Sequence, residues 1–230
     1  MGDLLVKEKS VVVPGDILAD GMDYLPGFNV FREGEKLIAK RLGLVNLSGR
    51  LVKILPLSGI YMPRRGDIII GKVVSIGLSG WRVDFGWPYE ANLSLKDASS
   101  DYIERTDDLT KYYDVNDYVV AQITNVSGSK IMDLTMKGPG LRKLSAGRLI
   151  YISPSKVPRV IGKGGSMINL IKDLTDSRIS VGQNGIVWLV GTDAQKELIA
   201  VEAIQKIEDE SHLSGLTDRV KEYIEGRLKK

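Results

Sequence analysis

Residues 157–175 read VPRVIGKGGSMINLIKDLT. A basic glycine loop, Gly162-Lys163-Gly164-Gly165, stands directly before Met167, Leu170, Ile171 and Leu174, which lie at helical spacing on one face. A glycine loop feeding a helix brings backbone N–H groups and the positive end of a helix dipole to an anion. The spacing decides which anion. A nucleotide P-loop needs lysine directly after the last glycine. Here Lys163 follows the first glycine and Ser166 the last, so that pattern fails. A dinucleotide fingerprint needs a third glycine where Met167 stands, and it fails as well.

A third pattern fits: a G-x-x-G loop between two helices that clamps a single-stranded backbone. Read as Gly162-x-x-Gly165-x-x-Ile168-x-x-Ile171, the stretch resembles the core of a KH domain. Its surroundings agree with the type I arrangement over about Gly147 to Asp209. GRLIYISP reads as a strand ending at Pro154, and SRISVGQNGIVWLVG as two strands turning at Asn184-Gly185. A helix follows from Thr192 to about Asp209, with Thr192 and Gln195 as a capping box. Leu198, Val201, Ile204 and Ile207 form its buried stripe. A last helix starts at Thr217, with Val220, Ile224 and Leu228 apolar. The resemblance implies single-stranded RNA as ligand, held by Lys156, Arg159, Gly162, Lys163, Gly164, Gly165 and Ser166. Val160, Ile161 and Ile168 would supply an apolar floor for bases.

The local charge agrees with an anionic partner. Residues 141–172 carry Arg142, Lys143, Arg148, Lys156, Arg159, Lys163 and Lys172 without an acid, whereas the whole chain is only +3. Residues 90–117 are the opposite, with eight acids against three bases.

Upstream, residues 63–137 alternate apolar and polar positions between glycine turns. GDIIIGKVVSIGLSGWRVDFG gives two strands, and YYDVNDYVVAQITNV and SKIMDLTMKG two more, around a polar excursion. This is the layout of a small Greek-key barrel. GKVVSI, GWRVDFG and DVNDYVVAQITNV resemble the S1 RNA-binding domain, an OB-fold barrel. The alternation points Trp81 inward with Val83. Arg82 and Asn92 then occupy outward positions where the S1 family often carries aromatic or apolar side chains. Such a barrel would grip RNA mainly through phosphates, with Arg64, Arg65, Lys72 and Arg82, and through stacking by Trp87 and Tyr89. Weak sequence preference and strong salt dependence follow from that expectation.

Residues 1–62 read as short strands broken by Gly and Pro, with a hairpin turn at Glu33-Gly34 and a loose tail over the first eight or nine residues. The expected fold is therefore multidomain β and α+β: a small N-terminal β domain (1–62), an S1-type OB barrel (63–137) and a type I KH domain with a C-terminal helix (138–230).

The composition bears on chemistry. There is no cysteine among 230 residues, which removes disulfides, cysteine-ligated metals and thiol nucleophiles. With His212 as the sole histidine, a histidine-rich metal site cannot be assembled, and a Ser-His-Asp set would have to use His212. His212, beside a helix end, reads as a cap or packing residue. Asp107, Asp108, Asp114 and Asp117 are the nearest carboxylate cluster, in what reads as a solvated loop. The chain is read as non-catalytic and without cofactor. No apolar run reaches the ~18 residues of a membrane span, and the opening MGDLLVKEKSVVVPGD lacks the apolar stretch and small residues expected of a signal peptide.

The order of N-terminal β domain, S1 and one KH is similar to the S1/KH cap subunits of the archaeal RNA-degrading exosome. SVVVPGDILADG (Ser10–Gly21), KVPRVIGKGGSM (Lys156–Met167) and IEDESHLSGLTDR (Ile207–Arg219) carry the resemblance. It implies several copies seated on a cytoplasmic ring of RNase PH-like subunits, which perform phosphorolysis. The N-terminal domain would dock, and S1 and KH would feed RNA to the ring. A different class, a stand-alone S1/KH RNA-binding adaptor in translation or transcription, shares the same domains.

Overall fold

Strand alternation and turn residues dominate the first two thirds of the chain, and the structure there is almost wholly β. The computed structural model describes residues 2–104, 107–211, 213 and 215–228; His212 lies outside them. The chain divides into two units, Met1–Ile60 and Tyr61–Lys230.

The first unit holds eight short strands: β1 (Asp3–Leu4), β2 (Val11–Val12), β3 (Ile17–Asp20), β4 (Leu25–Pro26), β5 (Val30–Glu33), β6 (Lys36–Ala39), β7 (Gly43–Ser48) and β8 (Leu51–Pro56). They make two four-stranded sheets, ordered β1-β3-β6-β5 and β2-β7-β8-β4. Leu18, Leu37, Val45, Val52 and Ile54 are buried among them. The expected turn after Glu33 is present, with Glu33 opposite Lys36. The loose tail is not. Asp3 and Leu4 pair with Asp20 and Ala19, Leu5 donates to the Leu18 carbonyl, and Leu4 and Val6 pack on the core. Ladder pairing and apolar burial together hold a segment that its sequence position alone would leave free.

The second unit begins with the barrel. Its strands are β9 (Ile68–Gly77), β10 (Gly80–Asp84), β11 (Ala91–Ser94), β12 (Tyr118–Val126) and β13 (Met132–Thr135), with a short helix α1 (Leu95–Ala98) after β11. β9 pairs with β10 and β12, β10 with β11, β11 in parallel with β13, and β13 with β12, which closes the sheet on itself. Inward positions are the expected alternating ones, including Val73, Val83, Leu93, Ile123 and Leu134. Trp81 is 2% exposed, donates Nε1–H to the Tyr113 carbonyl at 2.8 Å and meets that ring edge-on. It belongs to the core, as the alternation indicated. A further strand, β14 (Arg142–Lys143), pairs with β12, so the barrel sheet continues past residue 137.

A second α+β layer follows. β15 (Arg148–Tyr151), β16 (Ser177–Val181) and β17 (Ile186–Gly191) form a sheet ordered β15-β17-β16. Helices α2 (Val157–Ile161), α3 (Ser166–Thr175), α4 (Ala194–Asp209) and α5 (Leu216–Leu228) enclose one apolar cluster with it. Two details differ from the sequence reading. The cap of α4 is Asp193, which accepts from Gln195 N–H, while the Thr192 hydroxyl donates to Asp176. Leu198 is 48% exposed, whereas the other stripe residues, Val201, Ile204 and Ile207, are buried as expected, together with Ile199, Ala200 and Ala203. α4 packs against α3, α5 and the sheet together. Its buried surface is therefore a broad face centred away from Leu198, not a single stripe. At the end of α5, Leu228 is 39% exposed, while Val220 and Ile224 are buried.

Barrel and KH sheet are joined by the β16–β17 loop. The side chain of Asn184 donates Nδ2–H to the carbonyls of Ile70 and Phe85, each at 2.8 Å, and accepts from Ile70 N–H at 3.2 Å. Gln183 N–H donates to the Ile68 carbonyl at 2.8 Å. Ile70, Val120, Leu144, Ile186 and Trp188 form a shared apolar cluster beside this contact. The Asn-Gly pair thus sits in the expected turn, and its asparagine serves the barrel.

Candidate nucleic-acid interface

The glycine loop takes its shape from backbone angles. α2 ends at Gly162 with φ +75°, and one tight turn covers Lys163–Gly165 before α3 begins. Gly164 and Gly165 have φ +61° and +83°. Side chains strain such angles and glycine does not. At Gly162 space also excludes a side chain, because a Cβ would lie 2.7 Å from Met167 N. At Gly164 a Cβ would meet nothing within 4 Å. The loop tip is therefore bare backbone facing solvent.

No side chain caps the N-terminus of α3, and the positive end of its dipole lies at the loop, where the N–H groups of Gly165 and Ser166 are taken by the Gly162 and Lys163 carbonyls. Arg159, Lys163, Gly164 and Ser166 are exposed, and Lys156 and Gly165 are half-buried. All seven expected KH residues thus lie on one continuous stretch, from the turn before α2 to the first residue of α3.

The expected apolar floor is only partly present. Val160 is fully buried and Ile168 nearly so, both in the domain core, because α2 packs on α3 and α4, and α3 on α4, α5 and β16. Ile161 alone of the three lines the adjacent groove, a space of about 290 Å³ bounded also by Pro154, Val157, Pro158, Gly162 and Gln183. Sequence reasoning missed Pro154, Pro158 and Gln183. The two prolines flank a helix start, where their apolar rings project outward, and that position is a readable signal. Gln183 has none, since only the fold brings the β16–β17 loop to α2.

On the barrel, the structure separates the six expected residues. Arg64 and Arg65 are exposed in the turn before β9, where Asp67 accepts from Arg64 N–H. Lys72 is half-buried on β9 beside Asp84 and Tyr118. Trp87 packs partly on the barrel core, and Tyr89 is 56% exposed. Of the six, only Arg82 lines the barrel-face groove, which it shares with Ser75, Asn92 and Asp133 among others.

The carboxylates of 107–117 are occupied locally. Asp107 accepts from Glu104 N–H, Asp117 from Asp114 N–H, and Lys143 pairs with Asp117. The hydroxyl and N–H of Thr110 hold the Asp108 carboxyl below its usual range. Among the described residues, no three His, Asp or Glu side chains converge as a metal site. Nor is any helix among them long and apolar enough to cross a membrane.

Family models match each of the three domains. The KH domain model covers 148–209, the Rrp4 S1 domain model 60–125, and the model for the N-terminal domain of exosome RNA-binding protein Rrp4 covers 9–58. Over the whole chain, the sequence is 45% identical to the exosome complex component Rrp4 of Thermococcus kodakarensis, covering 90% of that protein. It is 42% identical to the Rrp4 of Thermofilum pendens over 97% of this chain and 96% of that protein. A crystal structure described as a candidate exosome complex RNA-binding protein superposes with a TM-score of 0.66 at 37% identity, covering 74% of this chain and 98% of that one. With its three domains matched in order and its whole length aligned, the chain belongs to the Rrp4 family of exosome complex components.

Proposed function

We propose that this chain is the non-catalytic RNA-binding cap of an exosome, and that it guides the 3′ end of single-stranded RNA into an RNase PH-like ring. The observation that carries the reading is the bare glycine loop, with Lys163 at its tip before the uncapped N-terminus of α3. A backbone phosphate is the anion that fits a loop without side chains at its glycines, with one lysine and the positive end of a helix dipole beside it. The groove beside it, lined by Ile161, Pro154 and Pro158, offers the apolar contact that an unstacked base requires. Relatives named exosome complex component Rrp4 support a place in that complex.

In this reading the N-terminal unit docks. Its surface keeps Val11, Val13, Met22, Leu25 and Leu55 between 50% and 68% exposed. Several copies sit on one ring in the cytoplasm, and the ring subunits perform the phosphorolysis. The test is capture of the tagged chain from native extract after nuclease treatment, with partners identified by mass spectrometry. RNase PH-like subunits recovered without an RNA bridge are the expected result. Ribosomal or transcription proteins in their place would favour a stand-alone adaptor. RNA degradation by the pure chain would overturn the non-catalytic assignment.

A further inference from the structure

The barrel turns one polar side chain outward from each of its five strands at the same level. Ser75 on β9 pairs with Arg82 on β10, Arg82 with Asn92 on β11, Asn92 with Asp133 on β13, and Asp133 with Asn125 on β12. The residues on either side of Arg82, Asn92 and Asp133 along each strand are buried, so this row is the outer face. Ser75, Arg82, Asn92 and Asp133 line one groove of about 470 Å³. Asn125 donates to Asp133 Oδ2 at 3.1 Å, which fixes the carboxylate and leaves Oδ1 and the second lone pair of Oδ2 to accept. Among the described residues, neither Arg82 nor Asp133 belongs to an ion pair.

A carboxylate in the middle of this face repels phosphate. It calls instead for a donor, and on RNA the donors available to a side chain are base N–H groups and 2′-hydroxyls. Across strands ~4.8 Å apart, the row presents an acceptor at Asp133, an amide at Asn92 and a pure donor at Arg82. Guanine presents the complementary order: N2–H and N1–H donors, then the O6 and N7 acceptors. Adenine places an acceptor, N1, where the carboxylate would meet it. Uracil offers one N–H between two carbonyls. Cytosine has a compatible order but gives the carboxylate a single N–H.

We propose that the Arg82–Asn92–Asp133 row reads a guanine base in single-stranded RNA. Asp133 accepts from N1–H and N2–H, and Asn92 and Arg82 donate to O6 and N7. The inference rests on the RNA-binding reading above. It replaces the expectation of a barrel that acts on phosphates with weak sequence preference.

The test is fluorescence anisotropy with the full chain and labelled oligouridine RNAs that carry a central guanosine, adenosine, cytidine or uridine. The guanosine RNA is expected to bind about tenfold tighter than the adenosine and uridine RNAs, the size of one good bidentate contact, with cytidine between. Asp133→Asn should bring that ratio close to one. Arg82→Gln, at an exposed position, should narrow it and carries the test should D133N fail to fold. Equal affinities in the wild type, or a ratio that survives both substitutions, would overturn the proposal. The double variant K163D/G164D separates the two readings. If it weakens all four RNAs while they bind the wild type alike, base readout fails and RNA binding stands. If the wild type binds none of them, both fail.

Discussion

Asn184→Ala should loosen the join between barrel and KH domain, and its cost can be worked from the contacts. The side chain is 9% exposed and makes three hydrogen bonds, two to carbonyls and one from an N–H. A net hydrogen bond contributes ~0.5–1.5 kcal/mol, and a buried partner left unpaired costs ~1–3 kcal/mol. Truncation should therefore destabilise the 61–230 unit by about 2–4 kcal/mol. For a unit of this size that lowers Tm by roughly 4–16 °C. Asn184→Asp is the sharper perturbation. It keeps the shape but puts an oxygen where Nδ2–H faced the Ile70 and Phe85 carbonyls, so it should cost at least as much as alanine. Urea unfolding followed by tryptophan fluorescence suits the question. Trp188 donates Nε1–H to the Ser145 carbonyl and packs in the shared cluster. A loss below ~0.5 kcal/mol for N184A, or an aspartate milder than alanine, would refute the clamp.

Other outcomes follow from the same structure. Gly162→Ala should cost about 1–3 kcal/mol, because the new Cβ meets Met167 backbone at a left-handed φ. Gly164→Ala should cost only the ~1 kcal/mol of that φ, since its site is open; paired thermal melts compare them. For the wild type, log Kd for single-stranded RNA should rise steeply with log salt, and Lys163→Gln should lower that slope by about 0.7, one phosphate contact. Burial, and then the hydrogen bond to Asp67, push the Tyr61 phenol well above its usual range. The folded state thus holds this proton more tightly than the unfolded one. Its contribution is complete below the unfolded value of ~10 and is lost as pH rises above that. Tyr61→Phe should flatten the alkaline limb of a stability–pH curve, and an unchanged limb would contradict the assignment.

How much was legible varies with the physics involved. The glycine loop was legible because few other residues tolerate its angles, and the start of α3 because its apolar positions are periodic. The barrel core was legible from period-2 alternation alone: Trp81 is inside and Arg82 outside, as parity requires. Long-range pairing was not. Nothing local says that Asp133 lies two strands from Arg82, because β11 and β13 are parallel and distant in sequence. Nor could Asn184 announce its role, since an Asn-Gly pair is already explained by a turn. The floor residues Val160 and Ile168 misled for a related reason. Apolar residues beside a loop are equally suited to groove or core, and the packing of α2 and α3 on each other and on α4 decides between them. Leu198 failed because a helix packed on several neighbours buries a face wider than a single stripe.

The central claim is that the Gly162–Gly165 loop holds RNA backbone. The most direct measurement is the affinity of the full chain for a single-stranded RNA at fixed salt, wild type against K163D/G164D. Both positions are exposed, and a thermal melt of the variant checks that it is folded. The account predicts at least a tenfold loss, since two carboxylates replace a lysine and bare backbone in a phosphate cradle. An unchanged Kd in a folded variant would contradict it.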